Sequence, residues 1–178
     1  PRDTGVQNFS MNIYCIERKK LIDLINTAFV RGQVYFERDV LAPHLESLNV
    51  QGFKYEGYAA RISDMRSYFE ENMKLLDDKN LDALFSGNPI YTKIRDDNPT
   101  RYIPGSNVSN VMAADGCIIE GHVENSILFR GVKVGKGAIV RNCILMQDTV
   151  IEDGAIVDYT ITDKKVVISA GKEMKGAD

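Results

Sequence analysis

Three consecutive seventeen-residue blocks lie on one another without a gap. They are V-E-N-S-I-L-F-R-G-V-K-V-G-K-G-A-I from Val123, V-R-N-C-I-L-M-Q-D-T-V-I-E-D-G-A-I from Val140, and V-D-Y-T-I-T-D-K-K-V-V-I-S-A-G-K-E from Val157. The first two agree at seven of seventeen positions, so the period is a structural unit. A unit this short cannot hold a helical hairpin, and its segments are rich in Val and Ile, which suit a pleated, half-buried surface. Apolar residues recur about every six positions, and Ala138 and Ala155 stand where a corner must be tight. That pattern predicts a hexapeptide β-helix: three short strands per coil, with one turn shortened. It is expected over 109–178, with an irregular first coil through Val111 to His122. Such a prism stacks only on its neighbours and commonly assembles subunits.

The repeat leaves roughly the first hundred residues to form a core of their own, so two small domains are expected in 178 residues. The formal net charge of −3, without a dense Lys/Arg cluster, points away from nucleic acid. No apolar run reaches membrane-spanning length, and no charged-then-apolar leader opens the chain at Pro1. Cys15, Cys117 and Cys143 are odd in number and lack C-x-x-C spacing. They read as reduced, mostly buried thiols of a cytoplasmic protein. His44 and His122, far apart in sequence, suggest no metal site.

Along the chain, Asn8 to Ile16 alternates Phe9, Met11, Ile13 and Cys15 and predicts a strand. Leu21, Ile22, Ile25, Ala28 and Phe29 recur at helical spacing between Arg18 and Arg31, with Gly32 suited to the C′ position. Val34 to Leu48 starts extended, with a short helix around Asp39-Val40-Leu41 that Pro43 interrupts. Gly52 to Tyr58 predicts a second strand, and Ser63 an N-cap for a helix carrying Met65, Tyr68, Phe69, Met73 and Leu76. A shorter helix is expected over Leu81 to Phe85. Asp77-Asp78 reads as a solvated helix end. Pro89, Pro99, Pro104, Gly87 and Gly105 then mark a linker over 86–108.

Four segments together resemble one family. S-M-N-I-Y (Ser10 to Tyr14) is similar to the S-M-G-I-Y strand of ADP-glucose pyrophosphorylases, and F-E-R-D-V-L-A-P (Phe36 to Pro43) to their D-F-G-K-D-L-I-P. G-Y-A-A-R-I-S-D-M-R-S-Y-F-E-E-N-M (Gly57 to Met73) resembles Y-W-R-D-V-G-T-x-x-x-Y-x-x-A-N-L, and N-S-I-L-F-R-G-V-K-V-G (Asn125 to Gly135) matches the repeat opening. The resemblance implies the C-terminal half of a glucose-1-phosphate adenylyltransferase. Residues 1–85 would be the C-terminal part of a mixed α/β nucleotidyltransferase domain, followed by the linker and a left-handed parallel β-helix. The family's G-G-x-G-T-R-L-x-P-L-T loop has no counterpart, so a piece of a longer chain is expected.

The departures carry the functional expectation. In the family, the Asp of W-R-D-V-G-T helps hold Mg²⁺ and lies eleven residues before the helix Asn; counted back from Asn72, that position is Arg61. Mg²⁺ requires hard oxygen ligands, and a guanidinium supplies none. At an effective dielectric near 20, a unit charge at ~4 Å already counts for about 4 kcal/mol, so Arg61 would repel the ion. The family Trp near the sugar corresponds to Ala59, the Asp before Phe36 to Tyr35, and the Gly of S-M-G-I-Y to Asn12. Ser10 alone stands where the family serine hydrogen-bonds the glucose. A scaffold kept and a site altered imply a regulatory, non-catalytic subunit of ADP-glucose synthesis for glycogen, without Mg²⁺ or another cofactor of its own. Its expected partners are a catalytic subunit of the family, in a homo- or hetero-oligomer formed through the β-helix.

Other residues carry competing readings. Asp64 is the alternative metal ligand if the register shifts by three, against a plain role at the helix start. Arg130, Lys133, Lys136 and Arg141 put positive charge on the first coils. A sugar phosphate or nucleotide effector at Arg130, Lys133 and Arg141 is weighed there against a solvated face. His122 is the general base if the prism is an acyltransferase, and otherwise a solvent-facing histidine. A catalytic adenylyltransferase subunit and a binding protein for another sugar nucleotide also remain open.

Overall fold

The computed structural model describes residues 9–87, 90–92 and 94–176. Asn8 of the expected first strand and Pro89 of the linker lie outside the described residues. The chain divides into two compact units, Pro1–Tyr55 and Glu56–Asp178. This division falls within the 1–85 stretch, and the first prism strand falls within 86–108.

In the first unit, α1 (Arg18–Val30) forms where the spacing of apolar residues places it. It ends as expected, with Arg31 as C-cap and Gly32 at φ +65°. That conformation costs glycine nothing and is the usual way to close a helix. A π-helical stretch, Phe36–Leu41, runs into a 3-10 turn, Ala42–His44, so Pro43 opens a tighter turn where a break was expected. The two expected strands are not formed: residues 9–16 and 52–58 are irregular. A strand's N–H and C=O groups need a ladder, and neither segment pairs with another among the described residues. Their apolar side chains stay in solvent, Ile13 at 78% and Phe53 at 91% exposure.

The second unit holds the β-helix. β1 (Arg101–Tyr102), β3 (Ile118–Ile119), β5 (Lys133–Val134), β8 (Val150–Ile151) and β11 (Val167–Ile168) stack in parallel as one wall. The other two walls are the two limbs of a bent sheet built from β2 (Asn107–Ala113), β4 (His122–Leu128), β6 (Ile139–Arg141), β7 (Ile144–Leu145), β9 (Ile156–Asp158), β10 (Ile161–Thr162) and β12 (Glu173–Lys175). Val123, Val140 and Val157 pair across successive coils, as do Ile127, Ile144 and Ile161, each one repeat apart. Inside, Val123, Val140, Val157, Leu128, Leu145, Val134, Ile151 and Ile168 form one core, with Ala138 and Ala155 buried at a corner.

Where the repeat fails, a glycine explains how. Ile118 pairs with Lys133, fifteen residues on, because Glu120–Gly121 spans in two residues a turn that takes four in the next coil. A Cβ on Gly121 would lie 2.5 Å from the Ala138 carbonyl oxygen and 2.7 Å from that of Gly135. The bend of the long sheet is made by Asn110, Asn125, Asn142 and Tyr159, all at φ between +46° and +51°. Each asparagine amide donates to the next rung: Asn110 to Asn125 at 2.8 Å, Asn125 to Asn142 at 2.6 Å, and Asn142 to the Asp158 carboxylate at 3.1 Å. Asparagine tolerates this left-handed backbone, and its side chain converts the corner into a hydrogen-bonded column.

Two helices precede the prism in this unit. α2 (Met65–Met73) is capped by Asp64, one residue after the expected Ser63. Asp64 is extended and accepts from the Ser67 N–H at 2.7 Å, while the Ser67 hydroxyl accepts from Asp64 N at 3.0 Å. This reciprocal box fixes the helix start and holds the Asp64 carboxyl below its usual range, chiefly through the Ser67 N–H. Asp77 then caps α3 (Asp78–Phe85) by accepting from Lys79 N at 3.0 Å. α2 and the following turn, Lys74–Leu76, pack on β2 and β4. Ile127 and Ile144 alternate with core residues and so point out of the prism, yet both are buried.

Two outcomes follow from this packing. Asn142→Ala removes two rungs of the column and places a Cβ-bearing residue without local hydrogen bonds at φ +50°, a combined loss of about 2–4 kcal/mol in urea unfolding. Asn142→Gly keeps the backbone conformation and loses less. Burial raises the Cys117 thiol and pushes Cys143 up to about 12, and Cys15 is the exposed exception among thiols expected to be mostly buried. A thiol reagent should therefore label Cys15 alone in the native protein, and Cys117 and Cys143 only after denaturation.

Candidate functional site

Asn12, where the family has glycine, adopts φ +57° and folds the chain back so that its N–H donates to the Ser10 hydroxyl at 3.1 Å. The same hydroxyl lies 3.3 Å from a Glu37 carboxylate oxygen and 3.3 Å from the Tyr14 hydroxyl. Tyr14 also donates to Glu37, which raises its pKa above that of an ordinary tyrosine. Phe36 meets the Tyr14 ring edge-on at 5.9 Å. Ser10 is thus engaged with groups of its own chain.

Tyr35 and Phe36 line an open groove of about 710 Å³ with Leu21, Phe29 and Val34. Arg38 lies over the Tyr35 ring at 4.3 Å and donates to Asp39 at 2.7 Å. Asp39 also accepts the N–H groups of Tyr35 at 3.0 Å and Val34 at 3.1 Å. These donors, Arg38 foremost, hold its carboxyl well below the usual range. At the position where the resemblance implies an acidic side chain, the chain presents an aromatic ring under a guanidinium. Tyr14, Glu37, Arg38 and Asp39 were not singled out in the sequence. Their only advance signal is the F-E-R-D run and the four-residue step from Ser10 to Tyr14.

In the second unit, Ala59 and Arg61 are exposed in an irregular segment, and Arg61 makes no ion pair among the described residues. Asp64, the alternative metal ligand, is committed to its capping box. Among the described residues, no group of three or more His, Cys, Asp or Glu side chains could hold a metal ion. Arg61 itself offers a metal ion no oxygen ligand.

The prism separates the remaining candidates. Lys133 lies on the first wall, in β5, and Arg141 on the bent sheet, in β6. Arg130 sits at a corner, 3.9 Å from Asp97, while Arg141 lies 3.5 Å from Glu124. Lys136 donates its backbone N–H to Asp153 at 2.8 Å. His122 is partly exposed, with its Nε2 3.6 Å from Glu124. These cations do not converge on one anion-sized site. Among the described residues, no helix is long and apolar enough to cross a membrane.

Residues 94–178 match the family model of the GlmU-like, C-terminal hexapeptide domain. The chain is 37% identical over 168 residues to the glycogen biosynthesis protein GlgD of Bacillus subtilis, covering 94% of this chain and 49% of that protein. It is 44% identical over 133 residues to GlgD of Geobacillus stearothermophilus, covering 74% of this chain and 38% of the relative. With the glucose-1-phosphate adenylyltransferase of Thermomicrobium roseum it shares 36% identity over 173 residues, covering 95% of this chain and 40% of the relative. The chain thus spans about half or less of the length of these relatives. It belongs to the GlgD and glucose-1-phosphate adenylyltransferase family, matching the C-terminal region and carrying the hexapeptide β-helix.

Proposed function

We propose that this chain is part of a regulatory, non-catalytic subunit in the synthesis of ADP-glucose for glycogen. The observation that carries the reading is Arg61, an exposed guanidinium at the position where the resemblance calls for a Mg²⁺-binding carboxylate. Transfer of an adenylyl group from ATP to glucose 1-phosphate develops charge on phosphate oxygens, which a metal ion must offset. A cation fixed to the protein there opposes metal binding and supplies no ligand. Ala59 removes the aromatic surface beside the sugar, and Ser10 is taken up by Glu37, Tyr14 and Asn12. The 37% and 44% identities to GlgD proteins support the glycogen context.

On this reading the subunit works by assembling with a catalytic relative and changing its response to effectors. That change is a coupling free energy between sites on different chains. The test is ADP-glucose formation from ATP and glucose 1-phosphate with Mg²⁺, by the whole protein carrying this region and by its mixture with a catalytic relative. The expected rate for the protein alone is at least about 100-fold below that of the relative. The mixture should show a shifted KM or effector response. Robust Mg²⁺-dependent turnover by the protein alone would overturn the proposal.

A further inference from the structure

One limb of the bent sheet presents two outward columns. The registers of β2, β4, β6, β9 and β12 stack Ser109, Glu124, Arg141, Asp158 and Lys175 in the first, so charge alternates over its last four rungs. The second column runs Asn107, His122, Ile139, Ile156 and Glu173 in the same registers. Between them, Val123, Val140 and Val157 point inward. Glu124, Arg141 and Lys175 keep 49%, 48% and 60% of their side-chain surface. Within the chain, Glu124 meets Arg141 at 3.5 Å and His122 at 3.6 Å, and Lys175 pairs with Glu173. Asp158 accepts from Asn142. Such exposed pairs are worth little, and their charges remain open to a neighbour.

We propose that this face is a two-fold docking surface for a second copy of the same chain. Let a two-fold axis lie in the interface, parallel to the strands and midway between the rungs of Arg141 and Asp158. The last four rungs of each column then meet their own copies in reverse order, and the Asn107 and Ser109 rung lies beyond the overlap. Glu124 faces the second copy's Lys175, and Arg141 faces the second copy's Asp158. In the other column, Ile139 meets the second copy's Ile156, and the His122 imidazole meets the second copy's Glu173 carboxylate. One axis matches all four kinds of pair, the self-complementarity an isologous contact requires. Four rungs at about 4.8 Å make a strip well short of the roughly 800 Å² per partner that a stable interface buries. The face therefore sets register and partner orientation in a weak, salt-sensitive contact. This deepens the assembly part of the proposed function and rests on it.

Sedimentation of the protein over a concentration series, at low and high ionic strength, tests the proposal. Glu124→Lys opposes two lysines across the axis and should weaken self-association at least tenfold, about 1.4 kcal/mol or more, at low salt. Adding Lys175→Glu restores opposite charges across the axis, while each residue now neighbours a like charge within its own chain. The double variant should recover to within about threefold of the wild type, even if its thermal stability falls. Failure of the double variant to recover would show that these charges act only within the chain, and would overturn the proposal. Equal self-association of all three proteins would exclude this face and leave assembly through another surface standing. A monomer at every concentration would sink both the face and self-assembly through the prism.

Discussion

The second unit depends on the repeated backbone hydrogen bond from one coil to the next. Ile139 N donates to Ala155 O at 2.8 Å and Ile156 N to Lys172 O at 2.8 Å, and the same step recurs around each turn. A coil alone has no partner for its N–H and C=O groups and buries no core. Stacked at a constant register, every inward residue lands on an equivalent residue above and below. The constraint is severe, because a one-residue slip turns every inward side chain outward. The asparagine column at the bend and the small residues at the corners protect that register. When a turn is shortened, as at Gly121, the change must be absorbed where no side chain stands in the way.

This local rule is why the prism was legible in the sequence. Its contacts run one repeat away, so period, strands and corners all appear as a pattern at a fixed interval. The first unit obeys no such rule. Phe9, Met11, Ile13 and Cys15 alternate as a strand should, but alternation states only which face would be buried. A strand exists when another backbone completes its ladder, and none of the described residues does so for 9–16 or 52–58. α1 was legible because its hydrogen bonds are internal. Asp64 in place of Ser63 at the start of α2 is a one-residue error, decided by which side chain reaches the N–H of Ser67.

The candidate site was legible in residue identity and not in geometry. Ser10, Tyr35, Ala59 and Arg61 can be named from aligned segments. The sequence did not show that Ser10 would be enclosed by Tyr14 and Glu37, because those contacts span 4 and 27 positions across an irregular segment. Nor did it show that Arg130, Lys133 and Arg141 stand on different sides of the prism. Basic residues close in sequence are separated there by the turns of the coil, and each meets its own surroundings.

The two units bear on function in different ways. The prism is held by side chains that point inward, so its outward residues can change without disturbing the fold. The nucleotidyltransferase-like segments hold positions that matter only if they meet a sugar or a metal ion. The residues at Arg61, Ala59 and Tyr35 therefore leave the stacking of the coils untouched, since none of the three belongs to the core cluster. On the proposed reading, a catalytic scaffold becomes a regulatory one by changes at exposed residues alone. What must persist is a rigid surface with a defined partner, and a solenoid whose outer columns vary freely over a fixed core provides it.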